Sequence, residues 1–108
     1  MSEVFASGSW HVKQGSEGAF VEAWNDLLRS TVGNRLAFIE ANLLRDQKDP
    51  RHFVSFAKWG DEAARADWKG SAEFAEGHAA CRALCDDFYG SDYDRASRIE
   101  GASAGVRA

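Results

Sequence analysis

The chain has 108 residues, a formal net charge of −4, and apolar and charged fractions of 44% and 28%. That is enough chain for one domain with a real core, and without a basic patch nucleic acid is not the expected partner. No apolar run approaches the roughly 20 residues of a membrane span and the N-terminus lacks the regions of a signal peptide, so no membrane is expected and the cytoplasm is the default location. Four Trp and seven Phe are many for this length and point to an aromatic core, pocket or interface.

Residues 3–13 alternate as a strand does: Val4, Ala6, Gly8, Trp10 and Val12 face one way, Phe5, Ser7, Ser9 and His11 the other. Gly15-Ser16 breaks the strand, with Ser16 as a helix cap. Over 17–32, Phe20, Ala23, Trp24, Leu27, Leu28 and Thr31 form a helical stripe, stopped by Gly33-Asn34. Residues 36–46 form a second strand and Gln47-Lys48-Asp49-Pro50 a turn. His52 to Trp59 is a third strand, with Val54 and Phe56 opposite Phe53, Ser55, Ala57 and Trp59, so the pair reads as a hairpin. Asp61 caps a short helix in which Ala64 and Trp68 share a face. Gly70-Ser71 restarts a longer helix, predicted to run to Tyr89 with Gly90 as its stop, in which His78 shares a stripe with Phe74, Cys81, Cys85 and Phe88. A last strand is expected in 92–100, through Tyr93, Ala96 and Ile99, and 101–108 is a flexible tail.

The order predicts a ferredoxin-like β-α-β-β-α-β sandwich with an antiparallel sheet, as a single domain over 1–108 with its core in 3–100. Both helical segments then cover one sheet face. The other face is expected to present Phe5 with some of Phe53, Ile39 and Leu43, and to be covered by a second copy in a two-fold homodimer.

His78 reads either as a core or rim histidine hydrogen-bonded to backbone, or as the proton-handling corner of a pocket. Ala6 and Gly8 leave room beside it on the inward strand face. Trp68 is packing, or a pocket wall whose face holds an aromatic ring and whose N–H donates to a substrate oxygen. Trp24, Trp59 and Phe74 are core, or line the same cleft. Cys81 and Cys85 read as reduced, buried thiols. With His78 they spell His-x2-Cys-x3-Cys, but no fourth ligand completes a zinc site, so no metal is expected. No Ser-His-Asp order, phosphate loop or HExxH helix is present.

Several short motifs accompany this order: Trp10-His11-Val12-Lys13-Gln14-Gly15 before Phe20-Val21-Glu22-Ala23-Trp24; Leu43-Leu44-Arg45-Asp46 before Asp49-Pro50-Arg51-His52-Phe53; Ser55-Phe56-Ala57-Lys58-Trp59; and Ala66-Asp67-Trp68 before Ser71-Ala72-Glu73-Phe74 and His78. Over 3–100 the chain resembles the antibiotic biosynthesis monooxygenase domains, small dimeric ferredoxin-like α+β barrels. The resemblance implies a cofactor-independent monooxygenase that oxidises a phenolic or quinol-like aromatic with O2. His78 would be the base or proton relay and Trp68 would orient the ring. Trp24, Trp59, Phe74, Gly8 and Asn42 would contact substrate, with Asn42 and Ser9 as candidate donors to a developing oxyanion. The family also includes haem-degrading enzymes, which implies an alternative with haem on His78. Trp68 matches that branch too, but Gly8 stands where its first-strand Asn is expected. A third reading is a dimeric small-molecule binding protein without chemistry, and a fourth a cyclase or isomerase on the same barrel.

Overall fold

The structure is a computed structural model that describes residues 3–33 and 35–102; Asn34 and most of the expected tail lie outside the described residues. The elements are β1 (Val4–Val12), α1 (Glu17–Val32), β2 (Phe38–Arg45), β3 (His52–Trp59), α2 (Glu62–Lys69), α3 (Ala72–Arg82) and β4 (Cys85–Asp94). The strands form one antiparallel sheet in the order β2-β3-β1-β4, the ferredoxin-like α+β arrangement. No helix among the described residues is long and apolar enough to cross a membrane.

The helices lie on the face to which Val4, Trp10, Val12, Phe53, Ala57 and Trp59 point. Phe20 of α1 meets Trp10 and Phe53 with ring centroids 5.2 Å away in each case, and Trp68 of α2 meets Trp59 at 5.1 Å. Burial of these rings, each worth a few kcal/mol, holds the two layers together.

Three expectations need correction. Helix α3 does not run to Tyr89. It ends at Arg82, the chain turns through Ala83 and Leu84, and the last strand occupies Cys85–Asp94 rather than 92–100. Gly90 is therefore a mid-strand residue opposite Gly8, not a helix stop. Pairing decides this, because β1 would otherwise expose a long unpaired edge, and Phe88, Tyr89 and Tyr93 suit a strand. The three-residue spacing of Cys85 and Phe88 imitates a helix because of a bulge. Val12 pairs with Cys85 and Trp10 with Phe88, so the irregularity keeps both on the inner face.

The open sheet face also differs in membership. Phe53 is buried in the core and Leu43 packs against it, both on the helical side. With Phe5 the open face instead carries Val54, Phe56, Leu44, Tyr89 and Tyr93, by their alternation with the inward residues. Finally, Ser16 occupies the N-cap of α1, but its hydroxyl makes no capping bond, and Gly33 ends the helix in a right-handed conformation.

Candidate active site

The sheet is hollowed where its inward side chains are small. Gly8 lies in register with Ser55 on one side and Gly90 on the other, and Ala6 pairs with Ala57 one step along. Above this row lies a cavity of about 370 Å³. Its walls are Trp10, Trp24, Leu27, Leu28, Trp68, Phe74, His78 and Phe88, with Ser55 and the small residues as its floor. Volume and lining suit a small organic ligand. Lys69 and Gly90 are the exposed members of the wall, so the cavity opens to solvent between the α2–α3 junction and β4.

Gly8 is required where it stands. A Cβ there would lie 2.7 Å from Trp10 Nε1 and 3.0 Å from the Phe88 ring, so the indole occupies the space that a side chain would take. From this position Trp10 Nε1–H donates to Ser55 Oγ at 3.0 Å. The Ser55 hydroxyl is almost fully buried, and its own proton has no acceptor among the described residues. It is thus a donor held at the cavity floor with one lone pair already engaged, which strengthens its O–H toward a ligand.

Trp68 is positioned by α2 and the loop after it. Asp61 caps α2 by accepting from Ala64 N–H at 2.7 Å. Ser71 then joins the two helices, donating to the Trp68 carbonyl at 2.6 Å and accepting from Phe74 N–H at 3.2 Å. The Trp68 indole N–H donates to Thr31 Oγ1 of α1 at 2.9 Å, so it is not available to a substrate oxygen as the sequence suggested. Trp68 offers the cavity its apolar surface, with Phe74 edge-on to it at 4.6 Å.

His78 sits among rings: stacked on Phe74 at 5.0 Å, edge-on to Phe88 at 4.8 Å and tilted against Trp10 at 5.4 Å. Among the described residues neither ring nitrogen has a hydrogen-bond partner, so the backbone-bonded histidine considered from sequence is not what is found. Burial, and next the nearby Arg82 and Lys69 charges, hold its imidazole below the ordinary value of 6.5. It is therefore neutral at pH 7 and able to accept a proton.

Of the other expected site residues, Trp24, Phe74 and Gly8 line this cavity. Trp59 does not; it is fully buried behind Trp68. Asn42 borders a different cleft, on β2 with Val21, Asn25 and Arg45. Ser9 faces away, its hydroxyl 2.9 Å from His52 Nε2, while His52 Nδ1 lies 3.1 Å from Asp46 Oδ2. This is a Ser-His-Asp chain that the sequence order did not reveal. Ser9 lies mid-strand, paired on both sides with Val54 and Tyr89, unlike the turn or helix N-terminus that usually supplies the backbone donors of an oxyanion hole. Ser55 was missed from sequence, since a lone inward serine carries no signal without the register that sets it beside Gly8.

Cys81 and Cys85 are free thiols, one on α3 and one on β4. Burial pushes the Cys81 thiol up to about 12, which makes it inert. Among the described residues no three His, Cys, Asp or Glu side chains converge as a metal site. Haem degradation does not fit these residues: the place expected for an Asn donor on β1 is filled by the Trp10 indole.

The sequence profile described as antibiotic biosynthesis monooxygenase matches residues 4–80. No curated protein matches significantly. Among solved structures, SnoaB from Streptomyces nogalater, described as a cofactor-independent oxygenase, superposes with a TM-score of 0.81 at 19% identity, covering 94% of this chain and 100% of its own. A conserved protein from Methanosarcina mazei gives 0.77 at 17% identity, covering 86% of this chain and 92% of its own. A Nitrosomonas europaea protein, a candidate antibiotic biosynthesis monooxygenase, gives 0.77 at 17%, covering 88% and 91%.

Proposed function

Because the chain belongs to the antibiotic biosynthesis monooxygenase family, we propose that it oxidises a phenolic or quinol-like aromatic with O2, without a cofactor, in the cavity above Gly8. One observation carries the reading: an imidazole with no hydrogen bond among the described residues, and a hydroxyl donor held by an indole, open into the same aromatic cavity. The description of SnoaB as cofactor-independent supports it.

In this reading His78 takes the phenol proton. Arg82 and Lys69, whose charges disfavour the imidazolium, favour the phenolate by the same electrostatics. Ser55 donates to the phenolate oxygen and Trp10 holds Ser55 in place. Trp68 and Phe74 hold the ring and keep water out. The electron-rich phenolate gives one electron to O2, and the radical and superoxide then combine at a ring carbon para to the oxygen. The resulting peroxide anion takes up the proton held by His78, and the hydroperoxide so formed loses water, its hydroxyl leaving with the ring hydrogen, to give a para-quinone. One oxygen atom enters the product, the other leaves as water, and His78 returns its proton to that water.

The test is O2 uptake with fused-ring phenols such as 1-naphthol. Replacing Trp68 with Phe and His78 with Ala together is expected to abolish uptake. Undiminished uptake by that double variant would end this mechanism. We also assign the open sheet face to a homodimer contact, since it carries Phe5, Val54, Phe56, Leu44, Tyr89 and Tyr93 together on one surface, and clustered apolar surface of this kind marks a partner site.

A further inference from the structure

The Ser9–His52–Asp46 chain lies on the open face of the sheet, across from the cavity, and the oxidation chemistry makes no use of it. Three strands bring it together. Ser9 is in β1, His52 opens β3, and Asp46 directly follows β2. His52 pairs with His11, so it is the diagonal cross-strand neighbour of Ser9 on the same face. The Asp46 N–H donates to the His52 carbonyl at 2.9 Å, which sets the carboxylate beside the ring. Asp46 Oδ1 also accepts the Lys48 N–H at 2.8 Å, and this bond, followed by that of His52, holds the Asp46 carboxyl below its ordinary range. An ionised carboxylate only accepts. In the neutral imidazole Nδ1 therefore carries the hydrogen, and Nε2 presents its lone pair to the Ser9 hydroxyl at 2.9 Å. That is the tautomer in which an imidazole takes a serine proton.

No turn or helix N-terminus stands beside Ser9 to supply backbone donors, but two side-chain donors flank it on the same face. His11 lies two residues along β1, stacked on His52 with ring centroids 4.6 Å apart, and Tyr89 is directly opposite Ser9 in β4. Both are exposed, and neither has a hydrogen bond among the described residues. Val54, opposite Ser9 in β3, and Leu44 beyond it give an apolar strip on which a ring can lie. The row of His52, His11 and Asp87 is the last of this face and is polar. Ser9 thus stands at the border of the apolar surface assigned to the homodimer, not at its centre.

We propose that Ser9 is the nucleophile of a second catalytic site, which hydrolyses aryl esters of short carboxylic acids. Ser9 Oγ bonds to the ester carbonyl carbon while its proton passes to His52 Nε2, and Asp46 stabilises the imidazolium. His11 and Tyr89 donate to the carbonyl oxygen as it gains charge. The bond to the aryl oxygen then breaks, the aryl oxide takes the proton from His52, and Ser9 is left acylated. Water adds to the acyl carbon and gives a proton to His52, which returns it to Ser9 Oγ as the acid leaves. Aryl oxides are good leaving groups, so two exposed side-chain donors suffice where an amide would need a rigid oxyanion hole. The proposal is independent of the oxygenase reading, because the two sites lie on opposite faces of the sheet.

The experiment treats the intact wild-type protein with diisopropyl fluorophosphate and locates the label by peptide mass spectrometry. One phosphoryl group is expected, on Ser9, and none on Ser9 when the chain is first unfolded in urea. Folded protein should also hydrolyse 4-nitrophenyl acetate, and lose that activity once labelled. Ser9→Ala should abolish both reactions. His52→Gln and Asp46→Asn should slow labelling of Ser9 by roughly 10²-fold or more, and Asp46→Glu should recover part of that loss. The decisive reading is on the wild-type chain and needs no variant to fold. No label on Ser9, a label on Tyr89 or another residue in its place, or labelling of Ser9 at full rate in His52→Gln overturns the proposal. A labelled Ser9 in protein that does not turn over 4-nitrophenyl acetate overturns the hydrolytic activity.

Discussion

Both cavity tryptophans that carry hydrogen bonds direct their N–H groups at protein, not at ligand. Trp68 donates to Thr31, whose own hydroxyl donates to the Leu27 carbonyl at 3.0 Å, and Trp10 donates to Ser55. The polar work in the cavity therefore falls to Ser55 and His78. Ser55→Ala should lower the oxidation rate constant by roughly 10²–10³ if the hydroxyl stabilises the oxyanion. It should also destabilise the fold by about 1–3 kcal/mol, because the buried Trp10 donor loses its acceptor. Steady-state kinetics and thermal melts check the two effects separately. His78 gives a pH signature. Its proton affinity is lower in the folded chain than in the unfolded chain, so it costs no stability well above pH 6.5 and removes stability as the pH falls below that value, until the folded form protonates too. His78→Leu should flatten that acid slope in urea titrations; identical slopes would show that the imidazole is not desolvated. Trp68 and His78 were legible from sequence as candidate pocket residues, by ring type and spacing, and both line the cavity. The direction of the Trp68 N–H was not, because it depends on Thr31, 37 residues away.

At the level of elements, two joints set the cavity's shape. Ser71 ends α2 and starts α3 with one hydroxyl, so Ser71→Ala should cost about 1 kcal/mol and loosen Trp68 and Phe74 together. Gly77 lies where α3 crosses α1, and a Cβ there would come within 2.6 Å of Leu27 Cδ1. Gly77→Ala would favour an isolated helix by up to ~1 kcal/mol. Here it should instead lower the melting temperature and narrow the cavity, since Leu27 is buried and cannot retreat freely. The first three strands and α1 were legible because their periods are clean and glycine or proline turns separate them. The end of α3 was not. Across 81–88 the stripe of Cys81, Cys85 and Phe88 fits a helix, and it is the bulge opposite His11 and Val12 that allows the same spacing within a strand. That bulge is a property of pairing, which local sequence does not record.

At the scale of the whole molecule the two sheet faces divide the labour. The helical face encloses the cavity, and the open face carries the apolar surface we assign to a second copy. Phe56→Asp alters only the open face, so it should halve the mass seen by light scattering from about twice 11.9 kDa while leaving the fold intact. An unchanged mass would place the contact elsewhere. The overall architecture could be read from the order of elements, because an antiparallel sheet with helices on one face has few alternative connections. The hollow itself was only partly legible: Ala6 and Gly8 were visible as small inward residues, whereas Gly90 became a third only once β4 was in register.

The account rests most heavily on oxygen transfer within this cavity by protein side chains alone. Its most direct test is turnover of 1-naphthol under ¹⁸O2, using protein verified free of metal and flavin, with the product analysed by mass spectrometry. The account predicts one labelled oxygen in the quinone, the other in water, and loss of labelled product in His78→Ala. Unlabelled product, or labelling that persists at full rate without the imidazole, would contradict it.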